Sequence, residues 1–245
     1  MELSIIVLCL LSERYLTHKI SYQRFSWFNE YVKVISSHLP SQSFWANPVV
    51  VIAVIMLPIL LIVGLVFFVL QMVLFGIFTF FLQLAIFFYC LGPNNPFYPI
   101  NDENYFTIVN NQLFAVIFWY IALGPMAVLF YRLASLSQHY STVEHVAKRL
   151  VDILDWIPAR VTALFYLLAG DFQNGFGCWL KMSLAAPQDN SILLSQVGAC
   201  AAGGKLESSS IDVNKISLPE AQHLVEYTAI IYLLFLAMLT IVSWL

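Results

Sequence analysis

From Val34 to Asn101 the chain runs for 68 residues without an Asp, Glu, Lys or Arg. Two more uncharged runs follow, Asn104 to Tyr131 (28 residues) and Tyr227 to Leu245 (19 residues). A helix needs about 20 mostly apolar residues to cross the hydrocarbon core of a bilayer. Backbone polar groups in lipid must be satisfied within the segment, which leaves helices as the natural reading of such runs. Only 10% of the residues are charged and 60% are hydrophobic, where a soluble domain carries roughly a quarter charged. The expected fold class is therefore all-α: a polytopic membrane protein with about four transmembrane helices plus amphipathic or interfacial helices.

The net charge of −3 argues against nucleic acid, which asks for a basic patch; the lipid bilayer is the expected partner. Cys9, Cys90, Cys178 and Cys200 form no CxxC pair and no dense framework, so neither a zinc site nor a disulfide scaffold is implied. The opening MELSIIVLCLLSERY has an acidic leading charge and no small-residue cleavage site, and reads as a retained anchor.

Four regions follow. Residues 1–46 form an N-terminal anchor and an amphipathic arm. In the arm Phe25, Phe28, Val32, Ile35 and Leu39 recur at helical spacing, for a helix lying at the membrane interface or packed on the protein's own loop domain. Residues 47–133 hold a three-helix transmembrane region. It comprises a hairpin over Pro48 to Leu91 turning near Gln71, and a span from Leu113 to Leu133. Gly124-Pro125 lies within that span, where the proline removes a donor and kinks the helix; Arg132 is placed to snorkel at its end. Residues 134–226 are a cytoplasmic helical and loop domain. Residues 227–245 are a C-terminal transmembrane helix.

Ser141 and Glu144 have capping-box spacing. Val143, Val146, Leu150 and Leu154 follow as an apolar stripe, with Glu144, Lys148 and Asp152 as an i, i+4 ladder on another face. Pro158 ends this helix and suits the first turn of the next, which runs to Ala169 with Gly170 as its cap. That second helix is too apolar for a soluble loop and too short to cross a bilayer, so it lies at the interface or against the spanning bundle. Residues Pro187 to Leu218 are expected to be loop-like, with Ser217 and Glu220 opening the last helix.

Charge placement puts the 134–226 segment inside, with six Lys or Arg, and the 92–112 loop, with none, outside. Arg14, Lys19, Arg24 and Lys33 also favour the inside, so either the N-terminal arm is outside or one segment is re-entrant.

Motifs for chemistry are sparse. GACAAGGKLESS (198–209) puts Gly203 where a phosphate loop needs it, but Gly204 takes the lysine slot and Leu206 follows Lys205. It reads as a small-residue linker. His139, Glu144 and His145 fit no common metal-ligand spacing. No catalytic residue, cofactor or metal is assigned. Arg160 is an interface anchor, paired with Asp152, Asp155 or phospholipid, or a ligand-binding group.

The run DWIPARVTALFYLLAG (155–170) resembles the signature of the AmpE and CobD/CbiB superfamily of bacterial inner-membrane proteins. The matching positions are Trp156, Ile157, Pro158, Ala159, Arg160, Thr162, Ala163 and Leu164. NNQLFAVIFWYIALGPMAVLFYRLAS resembles the AmpE form of the third span, through Asn111, Gly124, Pro125, Tyr131 and Arg132. Glu13 and Arg14 end an apolar opening in the AmpE manner. CobD/CbiB proteins make adenosylcobinamide phosphate, joining an aminopropanol moiety to a corrinoid, and carry acids in the third span that this chain lacks between Asn104 and Tyr131.

The resemblance therefore implies AmpE, a regulatory or sensory inner-membrane protein linked to β-lactamase induction and cell-wall recycling, with no established reaction. A cell-wall muropeptide or a protein is the implied partner. Arg149, Asp152, Asp155, Trp156 and Arg160 are the candidate ligand- or partner-binding residues. Glu13, Arg14, Gly124, Pro125, Tyr131, Arg132, Pro158 and Gly170 are the structural signature. The alternative is a CobD/CbiB-type adenosylcobinamide-phosphate synthase of cobalamin biosynthesis.

Overall fold

The computed structural model describes residues 2–16, 25–38, 47–73, 77–91, 104–184, 186–203 and 218–242. Among these there is no strand. The elements are α1 (Glu2–Leu16), α2 (Ser26–His38), α3 (Pro48–Val73), α4 (Ile77–Cys90), α5 (Tyr105–Val109), a π-helical turn (Asn110–Phe114), α6 (Ala115–Leu123), α7 (Pro125–Ser137), α8 (Glu144–Leu154), α9 (Trp156–Ala169), α10 (Phe172–Met182), α11 (Asn190–Ala201) and α12 (Leu218–Val242).

Three helices are long and apolar enough to cross a membrane: Pro48–Met72, Tyr105–Leu123 and Pro219–Val242. The expected hairpin partner of α3 is α4, an apolar helix of 14 residues. The chain continues as α3 past Gln71 to Val73.

The third span differs from the expected Leu113 to Leu133. It starts earlier, at Tyr105, and stops at Leu123. Gly124 adopts φ +82, a backbone conformation that side chains rarely tolerate. Pro125 then opens α7 as its first residue. The pair makes a break between two helices, not a kink within one. Arg132 consequently lies in α7 and does not snorkel: it is buried, with its guanidinium carbon 5.1 Å from the centre of the Phe25 ring.

The chain divides into two compact units. One comprises residues 15–93 and 116–151. Here α3, α4 and α7 pack together, with Phe87 against Tyr120 at 4.8 Å. Amphipathic α2 buries Phe28 and Val32, and the Tyr31 hydroxyl donates to the Ile55 carbonyl at 3.1 Å. Of the two readings of this helix, packing on the protein is observed: α2 lies on α3 and also meets Tyr140 of the 134–226 segment, whose ring is 5.8 Å from Phe28.

The other unit comprises residues 1–14, 94–115 and 152–245. Its core is α9, packed on α10, α11, α12 and the π-helical turn. Tyr166 lies at the centre, fully buried, with the Phe106 and Phe114 rings at 5.3 and 6.0 Å. The α8–α9 boundary falls where Pro158 predicts it, and Pro158 occupies the third position of α9. The start of α8 does not follow the capping box. The Val143 carbonyl opens the ladder, accepting from the Ala147 amide at 2.9 Å, so Val143 and not Ser141 stands at the cap. Burying Val143 outweighs the hydroxyl cap.

The loop expected from Pro187 is a correction. A 3-10 turn at Pro187–Asp189 leads into α11, twelve residues long and mostly buried. Its small residues permit this. A Cβ on Gly198 would come within 2.8 Å of the Phe106 ring. Gly198 is thus a helical packing residue, which rules out a phosphate loop starting there; residues 204–209 of that motif, and Ser217 of the last capping box, lie outside the described residues.

Candidate functional site

The polar groups of the second unit gather along the first half of α9. Arg160 projects from its second turn. Its Nε donates to the Ser183 carbonyl at 2.6 Å. Its Nη1 donates to the Trp156 carbonyl at 2.7 Å and to Asn190 Oδ1 at 3.0 Å. The guanidinium carbon sits 4.2 Å from the centre of the Trp156 ring, close enough for a cation–π contact. Trp179 Nε1 donates to the Arg160 carbonyl at 3.4 Å. Asn190 continues the chain of contacts, donating from Nδ2 to the Asp152 carbonyl at 2.8 Å. Arg160 therefore ties the start of α9 to the end of α10 and the start of α11. Partial burial lowers its pKa, yet a guanidinium keeps its proton at neutral pH.

A second group faces the π-helical turn. The Thr162 hydroxyl donates to Asn110 Oδ1 at 2.9 Å, both residues being buried. With its amide nitrogen toward them, Asn111 donates to the Thr107 carbonyl at 3.2 Å and to Asp155 Oδ2 at 3.1 Å. Asp155 is buried. π-helical turns inside α-helices recur at functional sites because the extra residue re-aims side chains. Here the turn presents two adjacent amides to α9. The result is a polar seam of amides, a carboxylate and a guanidinium within an apolar unit. Its groups can bind and orient a ligand bearing hydrogen-bonding and anionic groups.

Asp152, Asp155, Trp156 and Arg160 come together as one neighbourhood. Arg149 is exposed on α8 and belongs to the first-described unit, so the seam is built without it. Tyr131 is buried in that same unit. Glu13 and Arg14 lie on the backbone of α1, and their side chains fall outside the described residues.

Gly170 does end α9, but in an extended conformation, φ −118 and ψ −142, not the left-handed one. It is glycine because a Cβ there would stand 2.2 Å from the Ala201 carbonyl oxygen. Asn110, Ser183 and Asn190 were not singled out by sequence reasoning, and Thr162 entered only as a position of the family resemblance. A pair of asparagines in an uncharged run was the available signal for Asn110, since such groups need partners.

No protein-family profile matches this chain, and no solved structure matches it. Two curated relatives do. Both are named cobalamin biosynthesis protein CobD. The one from Chromobacterium violaceum is 32% identical over 105 residues, 40% of this chain and 34% of the relative. The one from Stutzerimonas stutzeri is 26% identical over 132 residues, 47% of this chain and 44% of the relative. This chain is similar to CobD proteins. The chain spans less than half the length of these relatives in each match. The similarity is consistent with the AmpE/CobD/CbiB superfamily, and the relatives' names fall on its cobalamin branch and not on the expected AmpE branch.

Proposed function

We propose that this chain is a multi-pass protein of the bacterial inner membrane that works in cobalamin biosynthesis, as its CobD-named relatives are named. The observation that carries this reading is the similarity to two such relatives over 105 and 132 residues. In the synthase form of the reading, the protein joins an aminopropanol moiety to a corrinoid. The seam around Asp155, Asn111, Arg160 and Asn190 supplies the groups for it. Asp155 and Asn111 hold hydrogen-bonding parts of the substrate, and the Arg160 region orients an anionic part. Its partners are then the bilayer and the corrinoid substrate.

The test is genetic rescue. The full chain is expressed in a bacterium lacking its own CobD-type protein and supplied with a corrinoid precursor that needs aminopropanol attachment. Restored growth without added cobinamide, lost on Asp155→Asn, is the expected result. Failure to rescue, with the protein present in the membrane fraction, overturns the reading.

One observation favours a second reading. No acid lies between Asn104 and Tyr131, and the π-helical turn offers amides in their place. That suits an AmpE-type sensor of a cell-wall muropeptide or a protein partner, binding at Asp155, Trp156 and Arg160 without catalysing a reaction. Altered β-lactamase induction on deletion of the gene, together with failed rescue, selects it.

A further inference from the structure

Helices α9 and α10 form a hairpin. Gly170 and Asp171 join the end of one to the start of the other. At the far end Arg160 of α9 bonds the Ser183 carbonyl just past α10. At about 1.5 Å per residue, neither helix is long enough to cross the hydrocarbon core, with 14 and 11 residues.

The hairpin's outer side is apolar on both helices. On α9 it exposes Ile157, Leu164 and Leu168; on α10 it exposes Phe172, Phe176 and Leu180, spaced four apart, with Leu184 just beyond at 90% exposure. Phe172 stacks on Phe176 at 5.3 Å and Phe176 on Trp179 at 6.1 Å. A third side of α10 carries Gln173, Asn174 and Lys181, all exposed. Helix α10 thus has a buried side, an oily side and a polar side. A polar stripe along the length of an amphipathic helix suits one lying in the plane of a membrane surface.

Contacts with the span that begins at Tyr105 agree. Asp155 meets Asn111, Thr162 meets Asn110, and Tyr166 meets Phe106 and Phe114. All of these contacts fall on residues 106–114, the N-terminal half of that span, so α9 sits toward one end of it. Helix α9 also packs on α12, the helix of a second apolar segment long enough to span. Phe165 lies 5.5 Å from Phe235 of α12, beside the exposed Leu234 and Leu239.

We propose that the α9–α10 hairpin lies in the plane of one leaflet, with its Phe172–Phe176–Leu180 row seated among lipid acyl chains and Lys181 turned to the headgroup side. This is independent of which reaction the seam serves. It also makes the seam a membrane-surface site, reached from the interface.

Depth-resolved quenching tests it on the full chain in phosphatidylcholine–phosphatidylglycerol vesicles. Single substitutions Phe176→Cys, Leu180→Cys, Gln173→Cys and Lys181→Cys are labelled with bimane, with the native chain as background. Labels at 176 and 180 should lose about half their emission or more to lipids brominated on the acyl chain, and little to aqueous iodide. Labels at 173 and 181 should show the reverse. Iodide quenching at 176 and 180 overturns the proposal, and so does protection from both quenchers, which assigns the row to a protein partner. An acyl-chain diazirine lipid on the unsubstituted protein is the independent measurement. Adducts within residues 172–184 are expected, and adducts on α3 with none there overturn the proposal.

Discussion

Asn190 holds Arg160 across thirty residues of chain. Its Oδ1 accepts from the guanidinium at 3.0 Å while its Nδ2 donates to the Asp152 carbonyl at 2.8 Å. One buried amide thereby links the start of α11 to both α8 and α9. Asn190→Ala should destabilise the protein by about 2–3 kcal/mol, because a hydrogen bond to a charged group is lost and a carbonyl is stranded. Arg160→Lys should not restore Arg160→Ala fully. A lysine offers a point charge where the guanidinium uses Nε and Nη1 toward three acceptors. Thermal unfolding in detergent checks both, and a neutral Asn190→Ala would show the linkage to be unimportant.

Three glycines should respond in different directions to alanine. At Gly170 the new Cβ meets the Ala201 carbonyl, a clash with backbone that costs about 1–3 kcal/mol. At Gly124 it meets nothing within 4 Å, but φ is +82 with ψ −170, a combination open essentially to glycine alone, and alanine there costs about 1–3 kcal/mol. At Gly177, helical with open space around it, alanine should stabilise by about 0.5–1 kcal/mol. Melting temperatures of the three variants should bracket the native value, with only Gly177→Ala above it.

The Tyr166 hydroxyl is buried without a hydrogen-bond partner among the described residues. Tyr166→Phe should therefore keep or raise stability by up to about 1 kcal/mol, whereas Thr162→Val, which strands Asn110 Oδ1, should lower it by about 1–2 kcal/mol. If Tyr166→Phe melts normally yet abolishes rescue of the CobD-deficient strain, the hydroxyl acts on substrate.

All four cysteines are free and buried. Burial and a hydrogen bond with Cys178 push the Cys200 thiol from 9.0 up to about 12. The folded state therefore holds this proton more tightly than the unfolded one. The stability it contributes is present below about pH 9 and lost as pH rises toward 12. Maleimide modification of Cys200 should stay slow from pH 7 to about 9, because the thiolate is the nucleophile and this thiol keeps its proton across that range. Unfolding in dodecyl sulfate should release it. Mass spectrometry of labelled peptides reads this, and rapid labelling of folded protein at pH 8 would contradict the burial.

Sequence alone was enough for the class of fold. Long uncharged apolar runs favour helices in lipid, because a helix satisfies its backbone groups within the one segment. It was also enough for the α8–α9 boundary, since Pro158 has no N–H to continue the ladder and its ring excludes the carbonyl four residues back, at Leu154 where α8 ends. Helix breaks set by distant packing were not legible. The twelve residues from Asn190, small and polar side chains mixed with four aliphatic ones, look like a loop until α9 and Phe106 are present to bury them. Gly124-Pro125 reads as a kink until φ is known. Gly170 was found for one reason and is required for another, the Ala201 carbonyl thirty-one residues away. The seam itself is a tertiary product: Asn110 with Thr162 and Arg160 with Asn190 are pairings between separate helices. Local pattern reports what a segment can form, and only chain packing decides which polar groups must satisfy one another away from water.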